Sequence, residues 1–180
     1  QTMSDARDAV RDHVESHPGV YFNELTRELG IATGQAQYHL RRLRDSGALD
    51  SESLRGRTHY FPTGYEPWEQ RTIALLRRET AREIIVRTLD SGTVAASDLP
   101  TDLGVARSTV AWHVSTLVDA DVAEKTYDKD GRSHIRLASP EETRRLLDVV
   151  SPSLPAKLLD RFTRLVDANF TGHGDDTTDA

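Results

Sequence analysis

The sequence predicts a mainly α-helical chain with small β-hairpins, in which one architecture is written twice. Three observations carry that reading. Residues Asn23 to Leu43, NELTRELGIATGQAQYHLRRL, hold two short amphipathic segments parted by a glycine. The pattern returns 74 residues later as SDLPTDLGVARSTVAWHVSTL, where Leu29, Gly30, Ala32, His39 and Leu43 are matched by Leu103, Gly104, Ala106, His113 and Leu117. Each copy is followed by an alternating segment that turns on a glycine. Self-similarity at a fixed period marks a duplicated structural unit.

The elements follow in order. Ser4 is placed to cap a first helix whose face carries Ala6, Ala9, Val10, His13 and Val14, ended by His17-Pro18-Gly19. Val20 and Tyr21 form a short extended piece. Asn23 is the expected cap of the next helix, with Leu25 and Leu29 inward, and Gly30 supplies a left-handed turn. The second helix of the pair runs from Gly34 to Ser46: Ala36, Leu40 and Leu43 recur at core spacing, while Gln35, Gln37, Tyr38, Arg41 and Arg42 point the other way. This is a helix-turn-helix. Ala48 to Pro62 reads as a hairpin with Gly56 at its tip between Arg55 and Arg57, which makes the unit a winged helix.

The second copy repeats the plan. Its helices are expected at Glu83 to Asp90, Ser97 to Leu103 and Arg107 to Asp119, before a hairpin VAEKTY, DKDG, RSHIRLA that is one residue longer than the first. Between the copies, Trp68 to Arg78 reads as a helix with Pro67 at its start, and Thr80 with Glu83 suggests a capping box for a new one. Ser139-Pro140-Glu141-Glu142 begins another helix. Leu158, Leu159, Phe162, Leu165, Val166 and Phe170 stripe a last one, and the polar tail from Thr171 is expected to be disordered. The division is therefore 4–62 and 80–138 for two winged helices, 63–79 for a linker helix, 139–170 for a C-terminal helical segment and 171–180 for the tail.

Composition bounds the function. A unit of about 60 residues buries only roughly 60% of its unfolded surface, so the two units are expected to lean on each other. The absence of cysteine excludes a disulfide framework, a zinc-thiolate site and a catalytic thiol. No apolar run is long enough to cross a bilayer and no signal-like segment opens the chain, so a cytoplasmic, non-membrane protein is expected. The net charge of −6 has the wrong sign for a protein that meets phosphates through a long-range field. Of the 23 basic residues only Lys125, Lys129 and Lys157 are lysine, and aspartate is dense, a bias that resembles proteins of salt-loving archaea. In about 1 M salt the Debye length is roughly 3 Å, so local contacts outweigh net charge there.

The pattern from Leu25 through the Gly56 hairpin resembles the winged helix-turn-helix of archaeal and bacterial transcriptional regulators, in particular ArsR-like repressors. The tandem arrangement looks like two-winged regulators of haloarchaea. The resemblance spans about residues 5 to 62 and 80 to 138. ArsR-like metal sensors use Cys and His ligands, and without cysteine that chemistry is not carried over. Ala32 and Ala106 stand where many relatives place a serine cap, which passes the task to Thr33 and Ser108.

The resemblance implies that the second helix of the motif enters the major groove of double-stranded DNA while the wing touches the backbone. Gln35 and Gln37 suit adenine edges, Tyr38 a phosphate or thymine methyl, and Arg41, Arg42, Arg55 and Arg57 phosphates. Residues 41 to 57 contain five Arg against three acids, the most basic window of the chain. In the second copy Arg107, Ser108, Thr109 and Arg132 hold the corresponding positions, yet its helix carries a single Arg, with Trp112 at the Tyr38 position. The expected division of labour gives DNA reading to the first copy and dimerisation or inter-domain packing, Trp112 included, to the second. The C-terminal stripe has two alternatives, closing over its own second unit or pairing with the same helix of another chain, and Trp68, Leu75 and Leu76 pose the same choice for the linker helix. A homodimer is the expectation from the resemblance and from this apolar surface together.

The remaining motifs point away from catalysis. His39 and His113 are expected to be packed, hydrogen-bonded imidazoles, the seven histidines look scattered, and DKDG is a turn, since the later ligands of a calcium loop are missing. No phosphate-cradling loop, Ser-His-Asp set or HExxH is present. No enzyme activity, cofactor or metal is expected, and the sequence names no small-molecule effector. The rival reading is a protein-interaction adaptor, like the acidic tandem winged-helix subunits of chromosome-segregation complexes.

Overall fold

A computed structural model describes residues 2–155. Helix α1 (Met3–Ser16) leads through β1 (Val20–Tyr21) into α2 (Phe22–Leu29) and α3 (Thr33–Asp45), followed by β2 (Leu49–Leu54) and β3 (Arg57–Pro62). Helices α4 (Pro67–Leu76) and α5 (Glu79–Ser91) connect to β4 (Val94–Ala95), α6 (Leu99–Leu103) and α7 (Arg107–Asp119). Strands β5 (Ala123–Tyr127) and β6 (Ser133–Leu137) and helix α8 (Pro140–Val150) complete the described chain. The architecture is mainly helical, with two three-stranded antiparallel sheets ordered β1-β3-β2 and β4-β6-β5. The last helix and tail expected from Leu158 onward lie outside the described residues.

The repeat holds at the level of strand register. Val20 faces Tyr60 and Leu49 faces Pro62 in the first sheet; Val94 faces Ile135 and Ala123 faces Leu137 in the second. The offset is thus 74 before each hairpin tip and 75 after it, which places the extra residue in the second tip. There Asp128 organises the turn, its carboxylate accepting from the Asp130 and Arg132 amides at 2.9 and 3.0 Å. Gly30 and Gly104 end α2 and α6 in the left-handed region, as the matched glycines require.

Several predicted helix starts are corrected. Thr2, not Ser4, caps α1, in a box with Asp5 that satisfies two otherwise unpaired amides. Asn23 lies inside α2, because β1 runs straight into the helix at Phe22. The ends of α3 and α7 have no side-chain cap: Thr33 and Ser108 are already helical, and Ala32 and Ala106 occupy the cap positions. Thr80 and Glu83 form no box either. Only Arg77 and Arg78 separate α4 from α5, so α5 starts at Glu79 with the Arg82 amide bonded to the Arg78 carbonyl at 2.9 Å. The helix expected from Ser97 is a 3-10 turn followed by the short α6, whose Pro100 contributes no amide donor.

Two cores form, and they are unequal. The smaller gathers Val10, Val14, Val20, Leu25, Leu40 and Leu49 inside the first unit. The larger joins α4, α5, the second unit and α8, and it takes in Phe61 from the first hairpin with Leu54 packed against it. Ile73, Leu75 and Leu76 are fully buried, so the linker helix spends its apolar face within the chain. Of the two alternatives for Leu75 and Leu76, the structure shows packing within the chain.

Polar groups lock the same junction. Arg77 donates to Glu24 at 3.3 Å and to Ser153 Oγ at 2.7 Å, tying α2 to the segment after α8. Arg82 is buried and donates to the Leu76 carbonyl at 2.9 Å, closing the end of α4. Gly19, at φ +81, lies so close to α4 that a Cβ there would sit 2.6 Å from Ile73 Cγ2.

Candidate nucleic-acid interface

Helix α3 buries Ala36, His39, Leu40 and Leu43 against α1 and the sheet, and this fixes which side faces out. Gln35, Gln37, Tyr38, Arg41 and Arg42 are all exposed on that outer side. Tyr38 keeps 42% of its surface accessible, close to the 43% of Trp112 at the matching position of the second copy. Arg42 lies over its ring at 5.7 Å, an i,i+4 cation–π contact that holds both side chains on one stripe. Among the described residues, no hydrogen bond or ion pair ties Gln35, Gln37, Tyr38 or Arg41 to another element.

The first hairpin closes with Leu54 opposite Arg57, leaving a two-residue turn of Arg55 and Gly56. Both have positive φ, 48° and 79°, the turn geometry whose twist matches paired strands. Arg57 turns back over the Tyr21 ring at 4.7 Å. Between α3 and the hairpin lies an open cleft of about 400 Å³ lined by Tyr21, Asn23, Gln37, Gly56, Arg57 and Thr58. Arg44 is held at the edge by a 3.1 Å bond to Ser51 Oγ.

Arg55 is placed differently from its neighbours. Its guanidinium donates to Asp119 at 2.6 Å and lies 5.8 Å from the centre of the Trp112 ring. Arg78 approaches the same ring at 5.6 Å. The outer face of α7 thus receives the tip of the first hairpin and the α4–α5 junction, and Trp68 Nε1 donates to the Asp121 carbonyl at 2.9 Å nearby. Trp112 meets the linker junction through Arg78 but keeps 43% of its surface accessible, so the expected packing is met only in part. Arg107, Ser108, Thr109 and Arg132 are exposed, but α7 carries no second cation beside them.

His39 and His113 are packed as expected, but the hydrogen bonds expected of them are missing. His39 is buried with both ring nitrogens unpartnered, and His113 Nδ1 is buried without a partner. Edge contacts replace the anticipated hydrogen bonds: His39 meets Tyr38 and His113 meets Trp112 at centroid distances of 5.3 and 4.9 Å. His59 is buried beneath the hairpin with Nδ1 2.7 Å from the Gly19 carbonyl, and burial depresses its pKa to about 4. His134 Nε2 sits 3.0 Å from Asp128, within the second tip. Neither His59 nor His134 is free to meet a phosphate. His13, His17 and Glu28, which sequence reading left scattered, come together at the α1–α2 contact. The i,i+4 spacing of the two histidines was the available signal, and Glu28 was not.

Residues 4–73 match the family model HTH_HVO_0163_N, described as an N-terminal HTH domain. That span covers α1 through β3 and most of α4. No curated protein matches the chain. Among solved structures, the cadmium metal-sensor CMTR from Mycobacterium tuberculosis is similar at 28% identity, over 47% of this chain and 86% of that one, with a TM-score of 0.39. Two structures of the endosomal ESCRT-II complex are similar at 14% and 13% identity, with TM-scores of 0.31 and 0.32. They align with 77% and 78% of this chain and with 62% and 67% of theirs.

Proposed function

We propose that the chain is a sequence-specific DNA-binding transcriptional regulator whose first winged helix is the main reader. The observation that carries this is the exposed Gln35, Gln37, Tyr38, Arg41 and Arg42 stripe, beside a cleft bordered by Arg57, on the outer helix of a matched HTH domain. A glutamine amide can donate and accept at one adenine edge, which supplies discrimination; guanidinium groups supply register on phosphates. The uncapped start of α3 adds free backbone amides at the same end.

In this reading the second unit is a supporting body. Its helix α7 lacks the cations and faces the first hairpin through Asp119 and Trp112. A homodimer on half-sites one helical turn apart is part of the proposal. Few phosphates are neutralised per chain, so the salt dependence is expected to be shallow for a DNA-binding protein.

The test is a fluorescence titration of the full chain against a library of genomic fragments at several KCl concentrations. Selection of a common sequence, weakened by Gln37→Ala at specific sites more than at random DNA, supports the proposal. Failure to select any sequence at any salt would leave the adaptor reading in its place.

A further inference from the structure

We infer that His13, His17 and Glu28 form a binding site for a divalent first-row transition-metal ion of the zinc type. The site shares no residue with the proposed DNA contacts and lies where the end of α1 meets α2.

The geometry is specific. His13, in the last turn of α1, and His17, its C-terminal cap residue, have rings stacked at 4.0 Å and 12° between planes, and both Nε2 atoms face Glu28. His17 Nδ1 lies 3.0 Å from the His13 carbonyl and 2.9 Å from Ser16 Oγ. With the carbonyl accepting the Nδ1 proton, the tautomer is set and the lone pair is left on Nε2, the arrangement that supports metal-ligating imidazoles. Glu28 reaches across from α2: its Oε2 is 2.8 Å from His13 Nε2 and 4.0 Å from His17 Nε2. His13 Nε2 is buried and makes no aligned hydrogen bond there.

One ligand atom from each residue lies within 4.8 Å of the others. Tetrahedral zinc with bonds of about 2.0–2.2 Å needs donor atoms about 3.3 Å apart, which small χ rotations deliver. Two imidazoles and one carboxylate are a borderline donor set, suited to zinc and its neighbours rather than to calcium or magnesium. Glu28 is one-third exposed, so a fourth position opens to water. Each ligand must be unprotonated to bind, and the metal replaces the His13–Glu28 contact with three bonds that pin α1 to α2.

The experiment uses the untagged full chain, stripped with EDTA, titrated with ZnCl2 by calorimetry at neutral pH. Thermal melts by circular dichroism and the histidine NMR signals are followed in parallel. One zinc per chain, a raised melting midpoint and selective movement of the His13 and His17 signals are expected. His17→Gln and Glu28→Gln should each weaken binding by at least about 100-fold, the upper end of what loss of a supporting residue costs. His134→Gln and His173→Gln should bind like the parent. Absence of saturable uptake, uptake that survives both site variants, or movement of other histidine signals in place of His13 and His17 would overturn the site. The NMR readout decides the matter on the parent chain even if a variant fails to fold.

Discussion

Arg55, at the tip of the first hairpin, donates to Asp119, the last residue of the outer helix of the second copy, at 2.6 Å. The side chains keep 35% and 65% of their surface, so the pair stands in solvent and is worth at most about 1 kcal/mol. Its interest is positional. A cation of the first hairpin is held by an acid of the other copy, and under the proposed function DNA would compete with that acid for Arg55. Asp119→Asn is expected to leave the urea midpoint nearly unchanged while tightening DNA binding a few-fold. Unchanged affinity in fluorescence anisotropy would show that Arg55 takes no part.

Arg77 and Glu24 behave otherwise, because their side chains are 4% and 11% exposed. Deleting Arg77 strands a buried carboxylate and releases the segment at Ser153. Arg77→Ala is expected to destabilise the chain by about 3–5 kcal/mol, and Glu24→Gln by less, measured by urea unfolding. Equal, small effects would mean that water reaches this junction freely.

Gly19 tests the close approach of the first unit to α4. Gly19→Ala adds a methyl 2.6 Å from Ile73 Cγ2 at a φ that disfavours any side chain. A loss of about 1–3 kcal/mol is expected from overpacking and strain. A midpoint equal to that of the parent would rule out the tight contact.

Stability should fall in mild acid. His59 has a folded pKa of about 4 against an ordinary value of 6.5, so between those limits the unfolded chain takes up a proton and the folded chain does not. The stabilisation is complete above about pH 6.5 and is lost as pH falls toward 4, amounting to about 3 kcal/mol at most. Burial lowers His113 as well, with the same sign. Unfolding midpoints measured from neutral to acid pH should drop in the parent and drop less in His59→Gln. Parallel curves would assign the acid sensitivity elsewhere.

How far the sequence could be read depended on the range of the interactions. Matched glycines, helix faces and the extra residue of the second hairpin are local, and each appears in the register where the repeat puts it. Helix starts were less legible, since Thr2 and Ser4 offer competing caps two residues apart for α1, while α2 and α5 start at Phe22 and Glu79 with no side-chain cap at all. The exposed stripe of α3 was visible from periodicity alone. The partners of Arg55, Arg77 and His13 were not, because Asp119, Glu24 and Glu28 are brought to them only by packing between helices. The hydrogen bonds expected at His39 and His113 failed for a related reason: the aromatic neighbour in sequence takes the ring edge and no acceptor is folded against it.

The division of labour between the copies is tested most directly by comparing Arg42→Ala with Arg107→Ala, residues on the outer helices of the first and second units. Affinity for the selected DNA site is measured for both as a function of KCl. The account predicts that Arg42→Ala loses about tenfold or more in affinity and flattens the salt slope by about 0.9, one phosphate contact, while Arg107→Ala leaves both near the parent values. Comparable losses from the two substitutions would contradict it.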